Sequence, residues 1–388
     1  MKNLIYFIFC LLTISTFMSC DKDTNPDDVS PKTRVLTQSD FDRDLVLEDV
    51  STGVDYIAES VLFVTSALTI RPGVTIQFKE GAGLSIVESG SIEARGTSDK
   101  KITFTSQIKA KGAWVGIIVQ SVSLRNVFEH CIIEYGGGDT WGNDTQGGIS
   151  TWARAALNID HCTFKSNKSF AVDLYGSINV ELRSFDNNVF ENNDAPIMIE
   201  PHNAPIIGSN NSFADINNYI GIEPIELHKT NRTYLWKALS IPYYINGSLL
   251  VQRSNLTLQP GVVIEFGEKG EIRVDDGSLT AVGIPNNGIT FTGRIKAPGS
   301  WGGISFQFTT SPQNLLEYLT VEYAGGSYDP KYDEGVIYMW ASPKVSVKNC
   351  TFRNNKVCIF NSNSGGAFDQ PNLIEENNIV TGSQKFCQ

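Results

Sequence analysis

Apolar and polar residues alternate along most of this chain in short runs. In residues 68–78, LTIRPGVTIQF, the apolar positions Leu68, Ile70, Val74 and Ile76 keep a period of two on either side of a Pro-Gly pair. Such alternation indicates half-buried β-strands, and the Pro-Gly pair indicates a turn. Similar short apolar segments continue to the C-terminus, and no stretch keeps a 3.6-residue apolar period. The pattern therefore predicts an all-β chain.

The chain contains this pattern in two copies. Residues 68–78 recur as LTLQPGVVIEF at 256–266. The segment ITFTSQIKAKGAWVGI at 102–117 likewise recurs as ITFTGRIKAPGSWGGI at 289–304. Each match is offset by 187 or 188 residues. The sequence therefore predicts a unit of about 188 residues that is repeated once.

A shorter repeat lies inside each copy. Segments of the type CTFKSN start at residues 131, 162 and 188 in the first copy and at 319, 350 and 372 in the second. Spacings of 20 to 31 residues suit one coil of a solenoid. Coils that stack at about 4.8 Å place equivalent residues in columns. We therefore expect an inward column in which Cys131 lies over Cys162.

Asparagines recur near the ends of these segments and are expected to form a ladder at one turn of the solenoid. Side-chain amides can bond from coil to coil there, and asparagine tolerates left-handed backbone. The predicted ladder consists of Asn167, Asn193, Asn355 and Asn377.

Together, the repeats and the asparagine ladder resemble the right-handed parallel β-helix proteins of pectin-lyase-like architecture, and in particular bacterial surface lipoproteins of that fold. The resemblance extends from about residue 55 to the C-terminus. It implies an all-β right-handed parallel β-helix solenoid with unit 1 at 55–242 and unit 2, including a C-terminal cap, at 243–388. Residues 39–54 are the predicted N-terminal cap, which protects an open sheet edge.

The N-terminus carries an export signal. Lys2 is followed by an apolar run from Leu4 to Phe17, which is too short for a membrane span. The run ends at Cys20 in a sequence that resembles a lipoprotein lipobox, which implies lipidation of that cysteine. Residues 1–20 are thus the predicted signal peptide, and the polar residues 21–38 a flexible tether. We expect outer-membrane anchoring at the cell surface; inner-membrane retention and ordinary secretion are the alternatives.

The charge balance narrows the class of partner. The chain has 31 basic and 42 acidic residues, a net charge of −11, and no basic stripe. This argues against nucleic acid, since binding to phosphates needs clustered positive charge. The N-terminal lipid anchor would be the only membrane contact, because no second apolar run approaches spanning length. A monomer is expected.

One outward column allows two interpretations. In each unit an acid, a base and an acid are expected to stack on successive coils. Lyases of the resembled fold use a basic side chain to abstract a proton beside calcium-binding acids, so the column could be catalytic. Alternating charges also avoid like-charge contacts between strands, and the occurrence in both units favours that structural interpretation. The column residues are Glu134, Lys165 and Glu191, and then Glu322, Arg353 and Glu375.

The histidines and cysteines are expected to give buried thiols, outer imidazoles and one possible disulfide rather than a metal site. His130-Cys131 and His161-Cys162 resemble ligand pairs, but adjacent strand residues point to opposite faces, so we expect buried thiols beside outer imidazoles and no metal site. A disulfide between Cys358 and Cys387 could staple the C-terminal end. No cofactor is expected, and calcium is the one ion that the acids of the loops could hold.

Two loops are the predicted ligand-binding elements. Segments 136–148 and 324–335 leave the stack at the same point of each unit, and both combine aromatics with acids. Aromatics can stack on sugar rings, and carboxylates can hold hydroxyls or calcium. Simple surface packing is the alternative. The predicted binding residues are Asp139, Trp141, Asp144, Trp152, Tyr328, Asp329, Tyr332, Asp333 and Trp340.

These observations favour a cell-surface β-helix lipoprotein that recognises polysaccharide or a surface protein without catalysis. Two alternatives remain open: a polysaccharide lyase or glycoside hydrolase, and a structural or adhesive rod. The binding hypothesis predicts two similar aromatic patches along one side of the rod. Trp114 and Trp301, which recur beside glycines, are expected to be packing residues.

Overall fold

A computed structural model describes residues 33–87, 89–139, 147–174, 180–214, 218–227, 231–326, 335–362 and 371–387. The predicted signal peptide, Cys20 and most of the predicted tether lie outside these residues. So do Trp141, Asp144, Tyr328, Asp329, Tyr332 and Asp333 of the two predicted loops.

The described residues form short strands and two 3-10 helices, Gln38–Phe41 and Pro201–Ile206. The strands are β1 Arg34–Leu36, β2 Leu45–Leu47, β3 Tyr56–Ala58, β4 Val61–Val64, β5 Ala67–Ile70, β6 Thr75–Phe78, β7 Gly83–Ile86, β8 Ser91–Arg95, β9 Ile102–Ser106, β10 Gly116–Val119, β11 Val127–Glu129, β12 Cys131–Glu134, β13 Gly147–Thr151, β14 Ala155–Asp160, β15 Thr163–Lys165, β16 Phe170–Leu174, β17 Val180–Asp186, β18 Val189–Glu191, β19 Ala195–Ile199, β20 Ser212–Phe213, β21 Ile220–Ile222, β22 Thr233–Trp236, β23 Tyr243–Ile245, β24 Ser248–Gln252, β25 Asn255–Leu258, β26 Val263–Phe266, β27 Glu271–Asp275, β28 Ser278–Val282, β29 Ile289–Gly293, β30 Ile304–Gln307, β31 Leu315–Glu317, β32 Leu319–Glu322, β33 Ile337–Trp340, β34 Val345–Lys348, β35 Thr351–Arg353, β36 Phe360–Ser362, β37 Leu373–Glu376 and β38 Ile379–Thr381.

The strands stack into parallel sheets. Most coils contribute one strand to each of three faces, and these strands pair in parallel with their equivalents in the neighbouring coils. One face is a 13-stranded sheet that runs from β4 to β38; the described strands of the other faces form sheets of eight, six, six and five strands. This architecture is consistent with the predicted right-handed parallel β-helix.

The two copies are rotated against each other about the rod axis. β6 belongs to the eight-stranded sheet, whereas its sequence counterpart β26 belongs to the 13-stranded sheet. β7 lies in the 13-stranded sheet, and its counterpart β27 lies in the five-stranded one. Because a coil has three faces, the second copy is turned by one face relative to the first. Equivalent side chains of the two copies therefore point to different sides of the rod.

The interior holds the predicted apolar columns. Cys131 and Cys162 are fully buried free thiols in successive coils, as is Cys350 in the second copy. Burial, together with the adjacent Cys162, raises the pKa of the Cys131 thiol, and burial raises the pKa of Cys350 to about 12. These thiols thus act as small apolar groups of the core.

Asparagines bond from coil to coil at the turn after the outward acid. Asn167 accepts from the Gly136 amide at 2.9 Å and donates to Asn193 at 2.9 Å. Asn355 accepts from the Ala324 amide at 2.8 Å. The prediction for Asn377 is wrong: it is exposed, and Asn378 accepts from the Cys350 amide at a different turn. The last coil is longer than the spacing of its similar segments suggested: those segments start 22 residues apart, at 350 and 372, whereas Thr351 pairs with Ile379, 28 residues further on.

Both ends of the rod are covered. Gln38 accepts from the Phe63 amide at 2.9 Å and donates to the Phe63 carbonyl at 2.8 Å, which satisfies the open edge of β4. At the other end, Cys358 and Cys387 form a disulfide with a Cα–Cα distance of 5.3 Å. The predicted tether is too long, because Arg34–Leu36 within it already pairs with β3.

Trp114 and Trp301 serve packing, as predicted. Both are fully buried, and each stacks on a phenylalanine with ring centroids 4.0 Å apart, Phe78 and Phe266 respectively. Each indole N–H donates to a carbonyl of the coil above, at 2.8 Å for Trp114 and 2.7 Å for Trp301. Within the described residues, neither helix has the length or apolar character to cross a membrane.

Candidate ligand-binding site

The predicted loops leave the rod at different edges. The first connects β12 of the eight-stranded sheet to β13 of the 13-stranded sheet, and the second connects β32 of the 13-stranded sheet to β33 of the five-stranded sheet. The strands that anchor the two loops thus lie on different faces, which argues against the two similar patches along one side that the binding hypothesis predicts. Of the loop residues proposed to bind ligand, Asp139 is described; it is exposed and lies 3.2 Å from Lys168 Nζ.

Trp152 and Trp340 lie at the far ends of the strands that follow the two loops. Trp152 follows the last residue of β13, and Trp340 is the last residue of β33. Each loop, in contrast, leads into the first residue of its strand. A strand of four or five residues is about 13–17 Å long. The grouping of both tryptophans with the loops stays a prediction, because residues 140–146 and 327–334 of the loops lie outside the described residues. Each is 43% exposed and stands at the next corner of the coil.

The corner beside Trp340 is a column of left-handed turn residues. Asn231, Arg253, Asp276 and Phe308 have φ values of 63°, 48°, 49° and 51° on successive coils. Backbone bonds connect the coils here: the Asn231 amide donates to the Arg253 carbonyl at 2.7 Å, and the Arg253 amide donates to the Asp275 carbonyl at 3.2 Å. Left-handed backbone is unfavourable for Arg253 and Phe308, whereas asparagine and aspartate tolerate it, and these two residues mark the column as a candidate functional element.

An open groove follows this column and is named here the Phe308 groove. It encloses about 740 Å³, including solvent at its mouth. Its lining is mostly polar, with one aromatic ring. The lining residues are Asn231, Arg253, Asn255, Asp276, Gly277, Phe308, Thr309, Thr310 and Ser311.

Phe308, which lines the groove, forms an exposed aromatic pair with Trp340. Phe308 is 56% exposed, and its ring centroid lies 5.5 Å from that of Trp340 at an interplanar angle of 45°. Large apolar groups exposed together are uncommon on soluble proteins and often mark binding sites. Trp340 therefore lies at a candidate site together with Phe308.

Phe308 is an extra residue of the second copy. Ile304 corresponds to Ile117 at an offset of 187 residues. Thr309, however, corresponds to Ser121 at an offset of 188. The equivalence is shown by their hydroxyls, which donate at 2.6 Å to the corresponding carbonyls, that of Gly277 for Thr309 and that of Gly90 for Ser121. Trp152 in the first copy consequently lacks this aromatic partner. The change of offset from 187 to 188 in the sequence indicates one inserted residue near the site. Only the turn geometry identifies that residue as Phe308 and places it beside Trp340.

A smaller cleft lies at the base of the second loop. It encloses about 240 Å³ and is lined by Glu271, Gly302, Gly303, Ile304, Ser305, Gly335 and Tyr338. Glycine is required at Gly303, where φ is 142° and a Cβ would lie 2.6 Å from the Val336 carbonyl oxygen. This cleft has room for one small group and does not match the extent of the Phe308 groove.

The outward charge column is only partly as predicted. Glu134 pairs with Lys165, and Lys165 with Glu191, on successive strands; Glu322 pairs with Arg353 in the same way. Glu375 is not part of it: Thr381 follows Arg353, and Glu375 stacks on Val347 of another face. Glu375 instead lies 2.7 Å from Lys385.

The acids of this column have structural partners. Glu134 accepts from Thr105 at 2.6 Å and lies 3.5 Å from Lys109, while Glu322 is ion-paired with Arg353. The Glu322–Arg353 ion pair is the contact that an alternating-charge ladder requires, whereas Glu134 contacts residues outside the column. These contacts favour the structural interpretation over the catalytic one for these residues.

Comparison with protein-family models and with curated proteins finds no match for the chain. Its function is therefore argued from the site alone.

Proposed function

We propose that this chain is a non-catalytic recognition protein of the cell surface that binds polysaccharide along the Phe308 groove. The observation that carries the proposal is the exposed Phe308–Trp340 pair beside a row of polar side chains. A sugar ring offers an apolar face for the aromatics and hydroxyls for amides, a carboxylate and a guanidinium. Export and lipid anchoring at Cys20 belong to the same proposal and are supported by the N-terminal sequence.

The groove suits an extended ligand. Arg253 and Asp276 lie on successive coils, and Asn231 precedes them. Coils spaced about 4.8 Å apart present these side chains at regular steps along the axis. A repeating polymer can meet such a row with successive units. A rigid row also needs little ordering on binding, which favours affinity.

Binding to a panel of bacterial and plant polysaccharides tests the proposal, by glycan array and then by calorimetry. Trp340→Ala should weaken binding at least tenfold, which corresponds to about 1.4 kcal/mol. Trp152→Ala is the matched control, because Trp152 occupies the same turn of the first copy without Phe308. Trp141→Ala tests the predicted first loop as the site instead.

Unchanged binding by both Trp340→Ala and Asp276→Asn would place the glycan elsewhere, and a loss with Trp141→Ala would assign it to that loop. No binding to any polysaccharide would favour a surface protein as the partner or a structural rod. The lyase alternative has one supporting observation, the basic Arg253 beside the acidic Asp276. It predicts ultraviolet absorbance from an unsaturated sugar product, and loss of that signal in Arg253→Ala.

A further inference from the structure

Two histidines stack at one corner of the first copy. His130 and His161 occupy the left-handed turn position on successive coils, with φ values of 49° and 56°. The His130 amide donates to the Asp160 carbonyl at 3.2 Å, and the His161 amide donates to the Asp186 carbonyl at 3.1 Å. Their ring centroids are 4.7 Å apart. The backbone ladder therefore fixes two imidazoles side by side on the outside of the rod.

Glu129 completes a set of three metal-binding groups. One ligand atom from each of Glu129, His130 and His161 lies within 4.8 Å of the other two. Two nitrogens bound to one tetrahedral ion at 2.0–2.1 Å are about 3.3 Å apart. Small side-chain rotations therefore suffice to bring the three groups onto one ion. The fourth position would stay open to water.

Neighbouring groups orient the Glu129 carboxylate and add a second acid. Arg95 donates to Oε2 of Glu129 at 2.6 Å. Carboxylates that bind metals are commonly held by such an outer partner. Asp160, in register with Glu129 on the next strand, adds a second negative charge. Its Oδ1 accepts from Ser184 and from the Asp186 amide, which orients the carboxylate.

The thiols do not take part. Cys131 and Cys162 follow the two histidines but are fully buried on the inner face. Their separation from the imidazoles was predicted from strand alternation, and the structure agrees. The sequence analysis predicted no metal site because it did not anticipate that the two imidazoles converge with each other and with Glu129.

The second copy repeats the backbone without the ligands. Tyr318 and Asn349 occupy the same turn, with φ values of 46° and 53°. Their amides donate to the next coil in the same way, at 3.3 Å and 2.9 Å. Glu317 is retained, but it pairs in register with Lys348 where the first copy has Asp160. The fold thus keeps this turn without needing histidine.

We propose that Glu129, His130 and His161 bind one divalent transition-metal ion of the zinc type. Two imidazoles and a carboxylate form a donor set that binds such ions in preference to calcium or magnesium, which favour oxygen donors. The ion would link two successive coils at the surface. This site is separate from the Phe308 groove and does not depend on it.

Zinc titration of the intact chain, purified without a histidine tag, tests the site by competition with a zinc-binding dye. Wild type should bind one ion, and His130→Asn, His161→Asn and Glu129→Gln should each weaken that binding at least tenfold. Asparagine suits left-handed backbone and is the residue of the second copy at position 349. Circular dichroism and the melting temperature in the absence of zinc verify that each variant folds.

A second measurement separates this site from thiols and from the remaining histidines. The cobalt(II) complex of wild type should show tetrahedral d–d absorption without sulfur-to-cobalt charge transfer. Introducing Tyr318→His, Asn349→His and Lys348→Asp together into the second copy should add a second ion with the same spectrum.

Equal zinc affinity of wild type and a folded His130→Asn/His161→Asn double variant would overturn the assignment. So would a cobalt spectrum with sulfur charge transfer, or no zinc binding by wild type at all.

Discussion

At the residue scale, the turns concentrate the unusual features of this chain. Left-handed backbone at non-glycine positions recurs in columns, including His130 and His161 on one corner and Arg253, Asp276 and Phe308 on another. Such backbone is tolerated because each turn is fixed by bonds to the adjacent coils. The turn side chains are therefore available for binding while the strands supply stability.

Substitution of Asn378 tests the corrected position of the last asparagine. Asn378→Ala leaves the Cys350 amide and the Val347 carbonyl without their partner, at present 2.9 Å and 2.8 Å away. We expect the free energy of unfolding to fall by about 1–3 kcal/mol, measured by chemical denaturation. Asn377→Gly, exposed and already left-handed, should stay within about 0.5 kcal/mol. A larger effect at Asn377 would restore the sequence-based register.

Glu200 should make stability depend on pH. Burial, reinforced by the Glu223 carboxylate, raises the pKa of Glu200 to about 8 from an ordinary 4.5. Its side chain is fully buried, with His202 Nδ1 at 3.3 Å. A carboxyl with a raised folded pKa contributes stability that is complete below the unfolded pKa and is lost as the pH rises through the folded pKa. Stability should therefore decline from about pH 4.5 to about pH 8.

Glu200→Gln removes this ionisation. The melting temperature of the variant should exceed that of wild type by roughly 2–5 °C at about pH 9 and differ little at about pH 5. Glu181→Gln, at an exposed position on β17, serves as the control. An equal difference at both pH values would show that burial of the charge is not the cause.

At the element scale, the rod depends on how its strand edges are closed. Gln38 satisfies both backbone groups of Phe63 at the N-terminal edge. At the C-terminal edge, Phe386 bridges to Phe360, and the disulfide fixes this contact. Unprotected edges of parallel sheets invite pairing between molecules, so both devices serve solubility as well as stability.

The disulfide should stabilise the last coils. It joins Cys358 and Cys387, which are 29 positions apart in the sequence. Replacing both cysteines with serine should lower the free energy of unfolding by about 3–4 kcal/mol in denaturant titrations. A reducing agent should have the same effect on wild type and none on the double variant. If reduction changes the variant as well, another disulfide contributes.

At the scale of the whole molecule, the copies share one continuous sheet but not one orientation. The 13-stranded sheet runs through both, while each repeated strand changes face from one copy to the next. Duplication here lengthens the rod and at the same time presents equivalent residues in a new direction. The two copies are therefore free to differ in function, as we propose for the Phe308 groove and the His130–His161 turn.

Disturbance at one end should stay local, because each coil contacts mainly its two neighbours. In the disulfide double variant, amide hydrogen exchange should accelerate at least tenfold in residues 345–362 and 371–387. Residues 56–78 should remain within about twofold of wild type. Mass spectrometry of peptides measures both regions at once. Uniform acceleration would instead show that the whole rod unfolds as one cooperative unit.

The sequence by itself determined the coil. Alternation at Leu68 and Ile70, the repeat of about 188 residues and the Cys131–Cys162 column all follow from local spacing, because stacked coils repeat the same inward positions. The tertiary structure alone decided the rotation of the copies, the register of Glu375 and the meeting of Glu129, His130 and His161. These depend on the length of every intervening turn, and a single extra residue such as Phe308 changes what lies on a surface while leaving the strand pattern intact.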